Sequence, residues 1–215
     1  MEISEITYES LKNMLAGAAA LVIKNRDELG RLDAAIGDGD HGVTMERAMN
    51  IVISKMSEDT SGDMSTMLAD IAWALMDCDG GATGPLYGSL FLGFSDATMD
   101  KSSLNCKGLA EMVDGGLKSI MEQTKAKVGD KTMMDALIPA VEALKKTADA
   151  DKTIVEALTE AYKAAKEGSD YTSTIPAHFG RAKYQLERTI GHPDPGSVSI
   201  TLVFKGFLQG LGVTD

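Results

Sequence analysis

Up to about residue 170, seven stretches repeat apolar residues at intervals of three and four, and none alternates apolar with polar as a half-buried strand must. Met67, Leu68, Ile71, Ala72, Leu75 and Met76 form the clearest of them. The others run from about Ser4 to Asp27, Val43 to Met56, Leu86 to Met99, Leu109 to Met121, Thr132 to Leu144 and Asp151 to Glu167. Each pattern lays an apolar stripe along one side of a helix, and such stripes are buried only against one another. The chain therefore reads as an all-α bundle. Residues 1–215 suffice for one well-buried core, and no linker divides them, so a single domain is expected. Asn25 to Gly30 reads as the stop of the first helix, and Pro139 should kink or interrupt the sixth.

The last segment carries two conflicting patterns. Val198, Ile200, Leu202 and Phe204 alternate with Ser199, Thr201 and Val203, as in a strand. Asp194-Pro195-Gly196 before them supplies a cap and a first-turn proline, and Phe207, Leu208 and Leu211 continue at helical spacing. A lone strand could not pair its backbone groups, so the segment reads as a helix.

Between the first two helical patterns, Leu32 to Thr44 places three carboxylates, Asp33, Asp38 and Asp40, within eight residues. Gly37, Gly39 and Gly42 permit the tight backbone that lets such side chains turn toward one point. Hard oxygen donors on a loop suit Mg²⁺, which keeps several waters and accepts nucleotide phosphates as further ligands. A calcium loop counted from Asp38 fails, because Val43 stands where its glycine belongs and Met49 where its glutamate belongs. Solvated Gly-Asp turns remain the ordinary competitor for this loop taken alone.

Two further stretches share the theme. Gly80 to Gly88 (Gly-Gly-Ala-Thr-Gly-Pro-Leu-Tyr-Gly) has close-approach glycines, a Thr83 able to cap and an early Pro85, which describes a helix start with N–H groups available to phosphate. It is no Walker loop, and on its own it reads sooner as a helix start with close packing of two segments. Arg181 to Gly196 holds Arg181, Arg188, His192 and the Asp-Pro-Gly start. Gly129-Asp130-Lys131-Thr132 resembles a phosphate loop but has Asp130 in place of the second glycine, so Thr132 with Asp135 reads as a capping box. Metal ligands, helix N-termini and guanidinium together are the parts phosphoryl transfer needs.

A net charge of −11 and a pI near 4.7 argue against nucleic acid or an anionic membrane as partner. Cys78 and Cys106 make no disulfide framework, and the N-terminus lacks the basic and apolar regions of a signal peptide, so a cytoplasmic protein is expected.

Leu-Asp-Ala-Ala-Ile-Gly-Asp-Gly-Asp-His-Gly, Gly-Gly-Ala-Thr-Gly-Pro-Leu-Tyr-Gly, Gly-Asp-Lys-Thr-Met, Gly-Arg-Ala and Ile-Gly-His-Pro-Asp-Pro-Gly follow in an order that resembles the nucleotide-binding L subunits of dihydroxyacetone kinases, over almost the whole chain. The resemblance implies an antiparallel eight-helix barrel whose open end binds ADP or ATP through Mg²⁺, as two ions. It implies Asp33, Asp38 and Asp40 as metal ligands. It implies His41, Gly42, Val43, Thr44, Ala82, Thr83, Thr124, Met133, Arg181, Asp194, Pro195 and Gly196 as nucleotide contacts, with Thr124 standing where a glycine is expected.

No residue is needed as a general base, Arg181 acting as a charge stabiliser. In that family a separate K subunit holds dihydroxyacetone. Phosphoryl reaches the bound nucleotide from a phosphocarrier M subunit of the phosphotransferase system, a phosphoenolpyruvate-dependent route favoured here over free ATP. Kinases of other ketoses such as tetruloses, and a nucleotide sensor that selects a transcription regulator, are the alternatives.

Overall fold

A computed structural model describes residues 3–78 and 81–213. The described residues form nine α-helices: α1 (Tyr8–Lys24), α2 (Arg26–Ile36), α3 (His41–Glu58), α4 (Met64–Met76), α5 (Thr83–Thr98), α6 (Cys106–Gln123), α7 (Met134–Asp149), α8 (Ile154–Thr172) and α9 (Pro195–Gly210). A 3-10 helix, Ala182–Thr189, precedes α9. Two short strands, β1 (Ile6–Thr7) and β2 (Ser103–Leu104), pair antiparallel beside the starts of α1 and α6. The last segment is α9, as its Asp-Pro-Gly start indicates, with Asp194 capping the Ser197 N–H at 2.6 Å.

Eight of the helices close a ring. α1 packs on α3, α3 on α4, and so on in order to α9, which returns to pack on α1. Neighbours around the ring run antiparallel, through links that are short except before α3 and α9, so helix starts alternate between two rims. The interior is filled by residues from around the ring, among them Leu15, Met49, Tyr87, Phe91, Phe94 and Phe207. This is the all-α barrel expected, with α2 as a helix outside the ring.

That outer helix corrects the reading of residues 25–30 as a simple stop. Asn25 does end α1, its amide donating to the Leu21 carbonyl at 2.7 Å, but the chain restarts at once. Leu29, Leu32 and Ile36 bury one side of α2 against α3 and α9. Asp33 therefore rides on the last turn of a helix. Pro139 does not interrupt α7 either. Its missing N–H leaves the Asp135 carbonyl without its usual donor, and the backbone of α8 fills that place: a Cβ at Gly168 would come within 1.9 Å of this oxygen.

The two rims differ in how their helices begin. At one, side chains cap every start: Thr7 for α1, Asp63 for α4, Asn105 for α6 and Thr153 for α8. At the other, α3, α5 and α7 start at Asp40, Ala82 and Met133 with no side-chain cap, and only α9 has one. At α3 and α5 this leaves first-turn N–H groups for water or a ligand, with the positive ends of the helix dipoles behind them, whereas at α7 the residue before the cap, Thr132, takes the Met134 N–H.

Candidate nucleotide and metal site

The uncapped rim gathers the acidic loop. Asp33 projects from the end of α2, and Asp38 and Asp40 from the link to α3, where Gly39 takes φ 80°, a conformation that costs a side chain energy but glycine nothing. One carboxylate oxygen from each of the three lies within 4.8 Å of the others. An octahedral shell of 2.1 Å bonds places its ligands about 3 to 4.2 Å apart, so a small closing movement suffices for Mg²⁺ to be shared by these hard donors. Asp33 is also held in place, accepting the His41 N–H at 3.2 Å. Across the cluster the Arg181 guanidinium pairs with Asp38.

His41 opens α3 with its imidazole half-buried and Nε2 2.7 Å from the Ser199 hydroxyl of α9. Burial holds this imidazole below its ordinary pKa, against the pull of Asp33 and a backbone bond to Pro195. Gly42 and Thr44 are buried in the first turn, with Thr44 bonding back to the Asp40 carbonyl, and Val43 is exposed. Ala82 and Thr83 begin α5. Thr83 does not cap: it is the first helical residue, and Ala82 before it has helical φ and ψ, so no extended residue can swing a hydroxyl over the N–H groups. Gly80 lies outside the described residues. Met133 starts α7 against the start of α9, where a Cβ on Gly196 would lie 3.3 Å from the Met133 Cβ.

Thr124 ends α6 in extended backbone that needs no glycine, its hydroxyl accepting from the Ala126 N–H at 3.1 Å. Arg188 is exposed in the 3-10 helix. The capping box at the α7 start is only half made. Asp135 accepts the Thr132 N–H at 2.8 Å, but the Thr132 hydroxyl takes the Met134 N–H rather than that of Asp135.

Sequence reasoning did not find the buried charges behind this rim. Asp135 is fully buried and also accepts the Gly129 N–H at 2.6 Å. Lys131 is buried with it. Asp194, capping α9, has its carboxyl pushed up to about 7, mainly by burial, with the Ser197 N–H and Lys131 pulling down and Asp135 and Asp33 pushing up. A carboxyl raised from 3.8 toward 7 on folding binds its proton more tightly in the native state. That stability is complete below about pH 4 and is lost as pH rises through 7. The ligand-free protein should therefore lose on the order of 3 kcal/mol between pH 5 and 8 from this group. Asp194→Asn, which keeps an acceptor at the cap, should flatten that loss. Urea unfolding of both proteins at both pH values measures it, and equal losses would place the pH dependence elsewhere.

The model of the DAK2 domain family matches residues 35–209. The chain is 36% identical over 188 residues to the ADP-binding subunit of phosphoenolpyruvate-dependent dihydroxyacetone kinase 1 of Listeria innocua, covering 87% of this chain and 89% of that one. It is 34% identical over 200 residues to the ADP-binding subunit of the Escherichia coli K12 enzyme, covering 93% and 95%. Among solved structures, the dihydroxyacetone kinase of C. freundii in complex with AMP-PNP and Mg²⁺ superposes with TM-score 0.74 at 25% identity. That match covers 92% of this chain and 33% of the kinase, so the present fold corresponds to about a third of that longer protein.

Proposed function

Since the chain belongs to the DAK2 domain family, we propose that it is the nucleotide-binding subunit of a dihydroxyacetone kinase, holding ADP or ATP with Mg²⁺ and passing the γ-phosphoryl group to dihydroxyacetone on a separate K-type subunit. The observation that carries this reading is the convergence of Asp33, Asp38 and Asp40 at the rim where α3 and α5 start without a cap from the residue before them. Cations held by the first group and anions drawn to the second meet at one place, as a metal-bridged diphosphate requires.

In this reading Asp33, Asp38 and Asp40 hold Mg²⁺, which supplies charge neutralisation at the phosphates. The segments His41 to Thr44, Ala82 to Thr83 and Asp194 to Gly196 border the phosphates, with the N–H groups of Gly42, Val43, Thr83 and Gly196 receiving their oxygens. Met133 and Thr124 border the base. Arg181, freed from Asp38 by the cation, faces the charge that develops on the transferred group. Positioning and charge compensation are the whole contribution of this chain, and the ketose with its reacting hydroxyl stays on the partner. Near full-length similarity to subunits named as phosphoenolpyruvate-dependent supports a phosphocarrier M-type subunit as the donor.

Two measurements test the reading. Freshly purified protein should carry ADP that exchanges slowly with free ATP. Mixed with K-type and M-type subunits and the phosphotransferase carriers, it should phosphorylate dihydroxyacetone from phosphoenolpyruvate. Full turnover from ATP alone would replace the phosphocarrier route, and no product from either donor with dihydroxyacetone or a tetrulose would overturn the kinase reading.

A further inference from the structure

Lys131 is 2% exposed, yet its ammonium is not spent on a surface ion pair. It donates to two backbone carbonyls, that of Thr172 at the end of α8 and that of His192 in the link to α9. The residue itself takes φ 60°, a left-handed conformation that costs a lysine about 1 kcal/mol and persists only where surrounding contacts over-determine it. Thr172 carries the connection onward, its hydroxyl accepting the Asp194 N–H at 2.9 Å and donating to the Ser169 carbonyl at 2.6 Å. On the other side Asp135 fixes the same loop through the N–H groups of Gly129 and Thr132. The charges facing Lys131 are Asp194 and Asp135.

A buried ammonium adds little net stability, because desolvation offsets most of what its bonds return, and an apolar side chain could fill the same space. What its two bonds do supply is a fixed distance between its own loop and the carbonyls of Thr172 and His192. Here one side is the loop that leads into Met133 and α7, and the other is the turn that leads into Asp194, Pro195 and Gly196.

Resting on the reading that ADP binds at this rim, we propose that Lys131 is a positioning residue for the nucleotide. In that reading the base lies beside Met133 and the phosphates at the start of α9, and Lys131 ties the two segments together so that one ligand meets both in register. Lys131 touches no ligand atom in this role and acts through the two segments it joins. A ligand that spans both sides should depend on it, whereas a ligand that uses only the phosphate side should not.

The test is calorimetric titration of the full chain with ADP and, separately, inorganic pyrophosphate, both with Mg²⁺. Lys131→Met keeps the length and removes charge and donors. It should weaken ADP about tenfold or more while leaving pyrophosphate within about twofold, since loss of register is felt only across the spanning ligand. Equal weakening of both ligands would mean general loosening and would overturn the proposal, as would unchanged ADP affinity. Should the Met variant not fold, Lys131→Arg decides: it retains charge and donors on a longer arm, and should lower ADP affinity several-fold with pyrophosphate unaffected. Unchanged ADP affinity in that variant would then overturn the proposal. No binding of ADP by the unaltered chain would instead remove the nucleotide reading itself.

Discussion

Asp38→Asn should lower Mg²⁺-dependent ADP affinity by about a hundredfold or more, close to 3 kcal/mol, and leave the helices intact. Asp38 is exposed and contributes nothing to the core. Its ion pair with Arg181 has both side chains open to solvent, where such a pair contributes at most about 1 kcal/mol. Its other neighbours are the oxygens of Asp33 and Asp40. Three anions so close repel one another without a cation, and replacing one by a neutral amide removes both a ligand and a third of the charge that holds the ion. Calorimetry with and without chelator separates the causes. With chelator, variant and unaltered protein should bind ADP equally weakly, and undiminished affinity with Mg²⁺ would take Asp38 out of the site. A loss that persisted with chelator would assign Asp38 to the loop or to Arg181 rather than to the cation.

The second large effect concerns the seam where the ring closes. α1 and α9 cross with almost no space between their backbones: a Cβ on Gly206 would lie 2.3 Å from the Ala18 Cα, and one on Gly17 2.3 Å from the Gly206 carbonyl oxygen. Alanine within a helix ordinarily stabilises by up to about 1 kcal/mol relative to glycine. At Gly206 the obstructing atoms are backbone and cannot rotate away, so Gly206→Ala should cost about 3 kcal/mol or more as the two helices are forced apart. Gly108 in α6 is the contrast, since an added Cβ there meets nothing closer than 3.4 Å. Gly108→Ala should be neutral or mildly stabilising. Urea unfolding of the two variants gives opposite signs if the seam is as tight as described, and similar small shifts at both positions would mean that it is not.

The sequence and the structure agree where a long periodic stripe dominates, and part where a short or polar segment is decided by its surroundings. The helices of the ring are legible because each repeats its apolar residues over several turns. The α9 conflict was resolvable because Asp194, Pro195 and Gly196 specify a helix start whatever alternation follows. α2 was hidden: only Leu29, Leu32 and Ile36 of its eleven residues are buried, and the charged residues between them look like a polar stop. Of the site, the grouping of Asp33, Asp38 and Asp40 is foreshadowed by their spacing, whereas the approach of Arg181 to Asp38 depends on how far the segment before α9 folds back. Lys131 was invisible for a different reason. A lysine between Asp130 and Thr132 looks solvated, and only the positions of Thr172 and His192, far along the chain, give its ammonium an inward place to bond.

The closing seam also sets an order of events during synthesis. Of the helices described, α1 leaves the ribosome before the others, and α9, the partner that covers its glycine face, leaves after them. Until α9 emerges, the apolar flank of α1 has no permanent cover, and the contact that completes the ring joins residues separated by nearly the entire chain, a slow kind of closure. The segment Asp194 to Gly196 arrives with that same helix, so a nascent chain would hold the acidic loop long before it held the opposite wall. Capacity for nucleotide should thus appear abruptly once α9 has emerged, and a chain stalled before α9 should occupy chaperones without ever retaining ADP.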